Sequence, residues 1–216
     1  MFMGHFAIGF AAKPAAPRVS LMVLFAAAQL ADLVWPFLVA LGIERVRIVP
    51  GATAFTPLDF VSYPYSHSLL FLGIGGIVFG AICAGVVRDR RILLVVFALV
   101  VSHWVLDWIA HRPDMPLFPG GARYGLGLWH SVPGTIAVEL TMFAVGVGMY
   151  VRSTRARDAV GRRAFAAFVG FLLAVYAANM GPPPSGVMAL VITAIAGVGV
   201  LLSWAWWFDR HREVAY

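Results

Sequence analysis

HSLLFLGIGGIVFGAICAGVVRDRRILLVVFALVVSHWVLDWIAH, residues 67–111, decides the fold. Its two apolar runs, near 67–87 and 92–111, each reach the roughly 20 residues a helix needs to cross a bilayer core. Only the basic stretch RDRR (88–91) separates them, so they read as a helical hairpin with a compact turn. Working outward, four more segments have the same character, near 19–42, 131–151, 163–180 and 187–208. A further apolar stretch, MFMGHFAIGFAA (1–12), is too short to cross. No basic residue precedes it and Lys13 follows it, which is unlike a signal peptide. It reads as a short half-helix that dips into the protein. The expectation is an all-α polytopic membrane protein with six transmembrane helices plus this N-terminal half-helix. It forms a single integral membrane domain over 1–216, with the polar chemistry in 1–130 and supporting helices in 131–216.

Composition agrees. The 216 residues are 61% hydrophobic and 12% charged, whereas a soluble domain is about half apolar and a quarter charged. Mean hydropathy is +0.87. A chain this short cannot hide so much apolar surface in one aqueous core. An ordinary soluble enzyme, a disordered chain and a disulfide-stapled domain are therefore excluded. The single cysteine, Cys83, lies in an apolar run and reads as packing. The net charge of +6 points to topology, not to nucleic acid, because the basic residues sit between spans. Six spans with both termini cytoplasmic put twelve basic residues on one side: Lys13, Arg18, Arg88, Arg90, Arg91, Arg152, Arg155, Arg157, Arg162, Arg163, Arg210 and Arg212. The other side holds four: Arg45, Arg47, Arg112 and Arg123. Trp204, Trp206 and Trp207 fit an interfacial anchor at the last inner boundary. The outer connections 43–66 and 112–130 are rich in proline and glycine and read as shaped loops. GIGG (73–76) and GVG (146–148) read as small-residue stretches for helix packing.

Ionisable groups inside a span are costly and are functional candidates by default. The spans and their outer ends hold Asp32, His67, His103, Asp107, His111, His130 and Glu139, and the half-helix adds His5. The sharpest set is SHWVLDWIAHRPD (102–114). His103, Asp107 and His111 recur every four residues and share one helix face. Such a face can ligate one divalent ion or neighbouring ions, with the Asp as ligand or orienter. It can also tie two helices together as a His–Asp pair, or relay protons. Asp32 lies deep in the first span and must be paired, protonated or cation-bound. Three histidines and two carboxylates from separate segments suit zinc if they converge. Glu139 is a candidate base or further ligand, His130 a candidate pocket-entrance residue, and Arg112 a candidate anchor for an anionic group.

The order of these motifs resembles the bacterial membrane-bound, metal-dependent hydrolase family. The residues that carry the resemblance are Gly4-His5, Asp32, His67-Ser68-Leu69-Leu70, and Ser102-His103 with Asp107, followed by PLFPGG (116–121). The same order is faintly similar to zinc-dependent phospholipase C. The chain departs from the family in having a single Asp32 followed by Leu33 and Val34, and Tyr63-Pro64-Tyr65 ahead of Ser66. The resemblance implies a bacterial inner-membrane protein whose metal ligands are His5, Asp32, His67, His103 and Asp107.

These observations set one main expectation. A divalent metal, zinc by ligand type, assists hydrolysis of a phosphoester or lipid-like substrate drawn from the bilayer. Glu139 or His111 acts as general acid or base, and Arg112 and His130 contact substrate. The alternative is an ion- or proton-coupled transporter or channel using the same buried groups. A third reading makes them interhelical glue in a scaffold. The sequence leaves the oligomeric state open.

Overall fold

The computed structural model describes residues 1–215. Among them, five helices are long and apolar enough to cross a membrane: α4 (Leu69–Val87), α5 (Arg91–Ala110), α6 (Val132–Ser153), α7 (Ala159–Ala178) and α8 (Val187–Arg210). Two shorter helices, α2 (Leu21–Ala28) and α3 (Leu30–Ala40), are together long and apolar enough for a sixth span but are bent by 59° where they meet, the geometry of a broken span or a re-entrant segment. The protein is therefore a multi-pass membrane protein, all-α in class. The remaining helix, α1 (Phe2–Ala11), is apolar apart from His5 and buried on nearly every side. Helices of that kind belong in a bundle interior. It packs on α6, α2, α5 and α7, and α8 packs on α2 and α3. The N- and C-terminal parts of the chain thus share one core.

The break in the first span coincides with a tertiary contact. Helix ladders kink where a side chain inserts into them, and His103 of α5 hydrogen-bonds the Ala28 carbonyl at 2.8 Å. The interruption at Gln29 makes Asp32 a first-turn residue of α3. A carboxylate is favoured there by the positive end of the helix dipole.

Lipid tails are as apolar as the side chains, so close packing holds membrane helices together more than escape from water does. Glycine supplies that approach where backbones meet. A Cβ on Gly80 of α4 would stand 2.7 Å from the Leu93 carbonyl oxygen of α5. One on Gly146 of α6 would overlap the Ala7 backbone of α1. Gly76 packs similarly under Phe97, whereas Gly73 and Gly148 face open space. Only part of each small-residue stretch serves packing.

The connections at one end are more structured than plain loops. A hairpin pairs β1 (Arg45–Ile48) with β2 (Leu58–Ser62), and a short ribbon pairs β3 (Met115–Pro116) with β4 (Arg123–Tyr124). A 3-10 turn at Leu128–His130 leads into α6. At the opposite end, β5 (Thr154–Ala156) pairs with β6 (Arg212–Val214). A buried clasp lies beside this ribbon. Asp209 accepts from Lys13 Nζ and Leu21 N, each at 2.9 Å, and from the Tyr150 hydroxyl at 2.7 Å. It joins the segment after α1 and helices α2, α6 and α8.

Candidate metal centre

Five side chains from three helices and one loop meet where α5 ends. His103 and Asp107 lie in the last two turns of α5, Asp32 opens α3, and His5 comes from the middle of α1. His67 directly precedes Ser68, whose hydroxyl caps α4 through Phe71 N at 3.3 Å. All but Asp32 are buried, and the Asp32 side chain is 39% exposed. The expected convergence of His5, Asp32, His67, His103 and Asp107 is present in two overlapping groups that share His103.

The distances separate these five into two roles. His103 Nε2 lies 3.1 Å from Asp107 Oδ2 and 3.9 Å from Asp32 Oδ1. His67 Nε2 lies 3.5 Å from Asp32 Oδ1 and 3.8 Å from Asp107 Oδ2. Zinc–nitrogen and zinc–oxygen bonds of about 2.0–2.1 Å place tetrahedral ligand atoms about 3.3 Å apart. These four nitrogen–oxygen separations, 3.1–3.9 Å, lie near that spacing, with Asp107 and Asp32 in separate groups joined through His103. His5 Nε2 instead contacts the other oxygen, Asp107 Oδ1, at 3.1 Å, and its ring stacks on His103 at 3.8 Å between centroids. The Met1 amino group also contacts Asp107 Oδ1.

Tautomers can be read from the far side of each ring. His103 Nδ1 faces the Ala28 carbonyl, which only accepts, so the ring hydrogen is on Nδ1. Its Nε2 lone pair then faces the Asp107 carboxylate, and Nε2 is buried without a hydrogen-bond partner. Two acceptors 3.1 Å apart repel unless a cation lies between or beside them. A proton on Nε2 would not point along a hydrogen bond to that oxygen, so a cation off the line fits the donor set better. His111 follows the same pattern. Its Nδ1 is 3.1 Å from Asp114 Oδ1, and its Nε2 is 3.9 Å from Asp107 Oδ2. Tyr63 donates to the same Asp114 oxygen at 2.5 Å. Burial, reinforced by Asp114, pushes the Tyr63 phenol well above its usual range and keeps it a donor.

The other expected residues have different partners. Glu139 Oε2 accepts from Met3 N at 2.6 Å, capping the start of α1, while Oε1 is buried without a partner. Arg112 does not present a free guanidinium. It bonds Asp59, and its Nε lies 3.3 Å from Asp114 Oδ2. Asp59 also takes Arg47 Nη2 at 2.5 Å. Burial alone would raise the Asp59 carboxyl, but the two guanidinium groups hold it below the ordinary carboxylate range. His130 is exposed and hydrogen-bonds Gly127 O within its own turn, 3.1 Å away, apart from the cluster.

Four neighbours of the site were not singled out from the sequence: Glu44, Ser66, Tyr63 and Asp114. They stand in polar loops, where such residues are ordinary. The three-residue step from His111 to Asp114 was the available signal. Comparison with protein-family models, curated proteins and solved structures finds no match to the chain.

Proposed function

We propose that the chain is a membrane-bound, metal-dependent hydrolase. It holds a divalent ion, zinc by ligand type, through Asp32, His67, His103 and Asp107. The observation that carries this reading is the pair of histidines whose Nδ1 atoms face oxygen on their outer sides while their Nε2 atoms face two carboxylates at 3.1–3.9 Å. Ligating histidines are oriented by such outer partners. When bound, zinc supplies Lewis acidity for ester hydrolysis, acidifying a water and polarising the scissile group.

The chain's own residues do the rest. His5 holds the second oxygen of Asp107, leaving Oδ2 to the site. His111, tied to Asp114 and facing Asp107, is placed to accept and return a proton. Glu139 fixes the start of α1 and so the position of His5. Asp32 is the exposed member of the set, on a helix whose Val34 and Phe37 are also exposed. That opening within an apolar span suits a phosphoester or other lipid-like substrate arriving from the bilayer. The motif order stated above supports the bacterial inner membrane. The basic end, carrying twelve of the sixteen Lys and Arg residues, is then cytoplasmic, and the site lies toward the opposite face.

The test is hydrolysis by detergent-purified, zinc-loaded protein of phospholipids and soluble phosphoesters. Release of headgroup or phosphate, abolished in His103→Ala, is expected. Zinc-loaded wild type that cleaves no ester overturns the hydrolase assignment.

A further inference from the structure

Glu44 stands outside the four proposed ligands, yet it is 1% exposed and wholly engaged. It follows the end of α3 and immediately precedes β1. Its Oε1 accepts from Tyr65 N and Ser66 N, both at 2.9 Å. Its Oε2 accepts the Ser66 hydroxyl at 2.5 Å. Ser66 Oγ is in turn 2.7 Å from His67 Nδ1. A hydroxyl has one hydrogen to donate, and here it goes to the carboxylate. Ser66 Oγ therefore accepts from His67, and the ring hydrogen of His67 is on Nδ1. The Nε2 lone pair is left facing Asp32 and Asp107.

We propose that Glu44 is a positioning residue that sets the tautomer of His67 through Ser66. The metal-affinity consequence rests on the metal reading above; the tautomer does not. Direction matters in this chain of bonds. Glutamine at position 44 must keep its amide oxygen on the two backbone N–H donors. Its NH2 group then meets Ser66 Oγ as a donor, turning the serine hydrogen toward His67 Nδ1. The ring hydrogen moves to Nε2, where it obstructs a cation. Glu44→Gln is nearly isosteric and keeps the two backbone bonds, so the fold is preserved while the polarity reverses.

The experiment compares wild type, Glu44→Gln, Ser66→Ala and Ser66→Thr as full-length protein in detergent. Nitrogen-15 spectra of labelled histidine read the His67 tautomer in metal-free protein, and chelator competition reads zinc affinity. Wild type and Ser66→Thr are expected to show His67 protonated on Nδ1. Glu44→Gln is expected to show it on Nε2, and Ser66→Ala to lose the preference. Zinc affinity should fall about 10- to 100-fold in Glu44→Gln and Ser66→Ala, the usual effect of losing an outer partner. An unchanged tautomer in Glu44→Gln and Ser66→Ala overturns the proposal. The expected tautomers in a wild type that binds no zinc sustain the positioning role and overturn the metal reading instead.

Discussion

Asp107 shows why the centre needs cations. It is 2% exposed and sits in the last turn of α5, at the negative end of the helix dipole. Its two oxygens are divided, one toward His5 and Met1 and the other toward His103, His67 and His111. A second buried carboxylate, Asp59, has a different task in the β1–β2 hairpin. Arg47 and Arg112 hold its folded pKa below its unfolded value of about 3.9. Its contribution is fully present above pH about 4 and is lost as pH falls through the lower folded value. Hydrogen-exchange protection over residues 45–62, corrected for the intrinsic rate, should fall below about pH 4 in wild type, and Asp59→Asn should flatten that profile. Equal profiles would remove Asp59 as the pin between hairpin and helix end. At this scale the five converging residues were legible because ionisable groups in apolar spans are conspicuous. Glu44 and Asp114 were not, because a carboxylate in a polar loop has no such contrast. Arg112 looked free in sequence because Asp59 lies 53 residues away and only folding pairs them.

Elements carry two further predictions. Asp209 binds Lys13, Leu21 N and Tyr150 at once. Alanine there strands a buried ammonium, a change that costs about 3–5 kcal/mol. Unfolding of Asp209→Ala in detergent should show a loss of that order, and a loss within about 0.5 kcal/mol, the usual effect of a surface substitution, would show the clasp to be dispensable. Gly80→Val should cost about 1–3 kcal/mol, as overpacking does, because its Cβ meets the Leu93 carbonyl and not a movable side chain. An unaffected stability would mean that α4 and α5 can separate freely. The lengths of α4 to α8 were readable from apolar runs bounded by basic or proline-rich stretches. The 59° break in the first span was not. The contact at the break, the bond from His103 to Ala28, joins residues 75 positions apart. The strand ribbons escaped for a related reason: each is at most five residues long and needs its partner to exist.

For the whole molecule, the architecture explains why the polar cluster survives in an apolar bundle. The half-helix α1 fills the centre, the break between α2 and α3 sets Asp32 at the rim of the cluster, and the α4–α5 hairpin brings His67 beside His103. No single helix holds the set, so the site exists only when the bundle is assembled. The reading of the cluster as one cation site is most directly tested by zinc content. Purified wild type, equilibrated with zinc and passed over a desalting column, should carry about one ion per chain. His67→Ala and His103→Ala should carry none while keeping the helical content of wild type. Wild type that retains no zinc, or His103→Ala that retains as much as wild type, would contradict it.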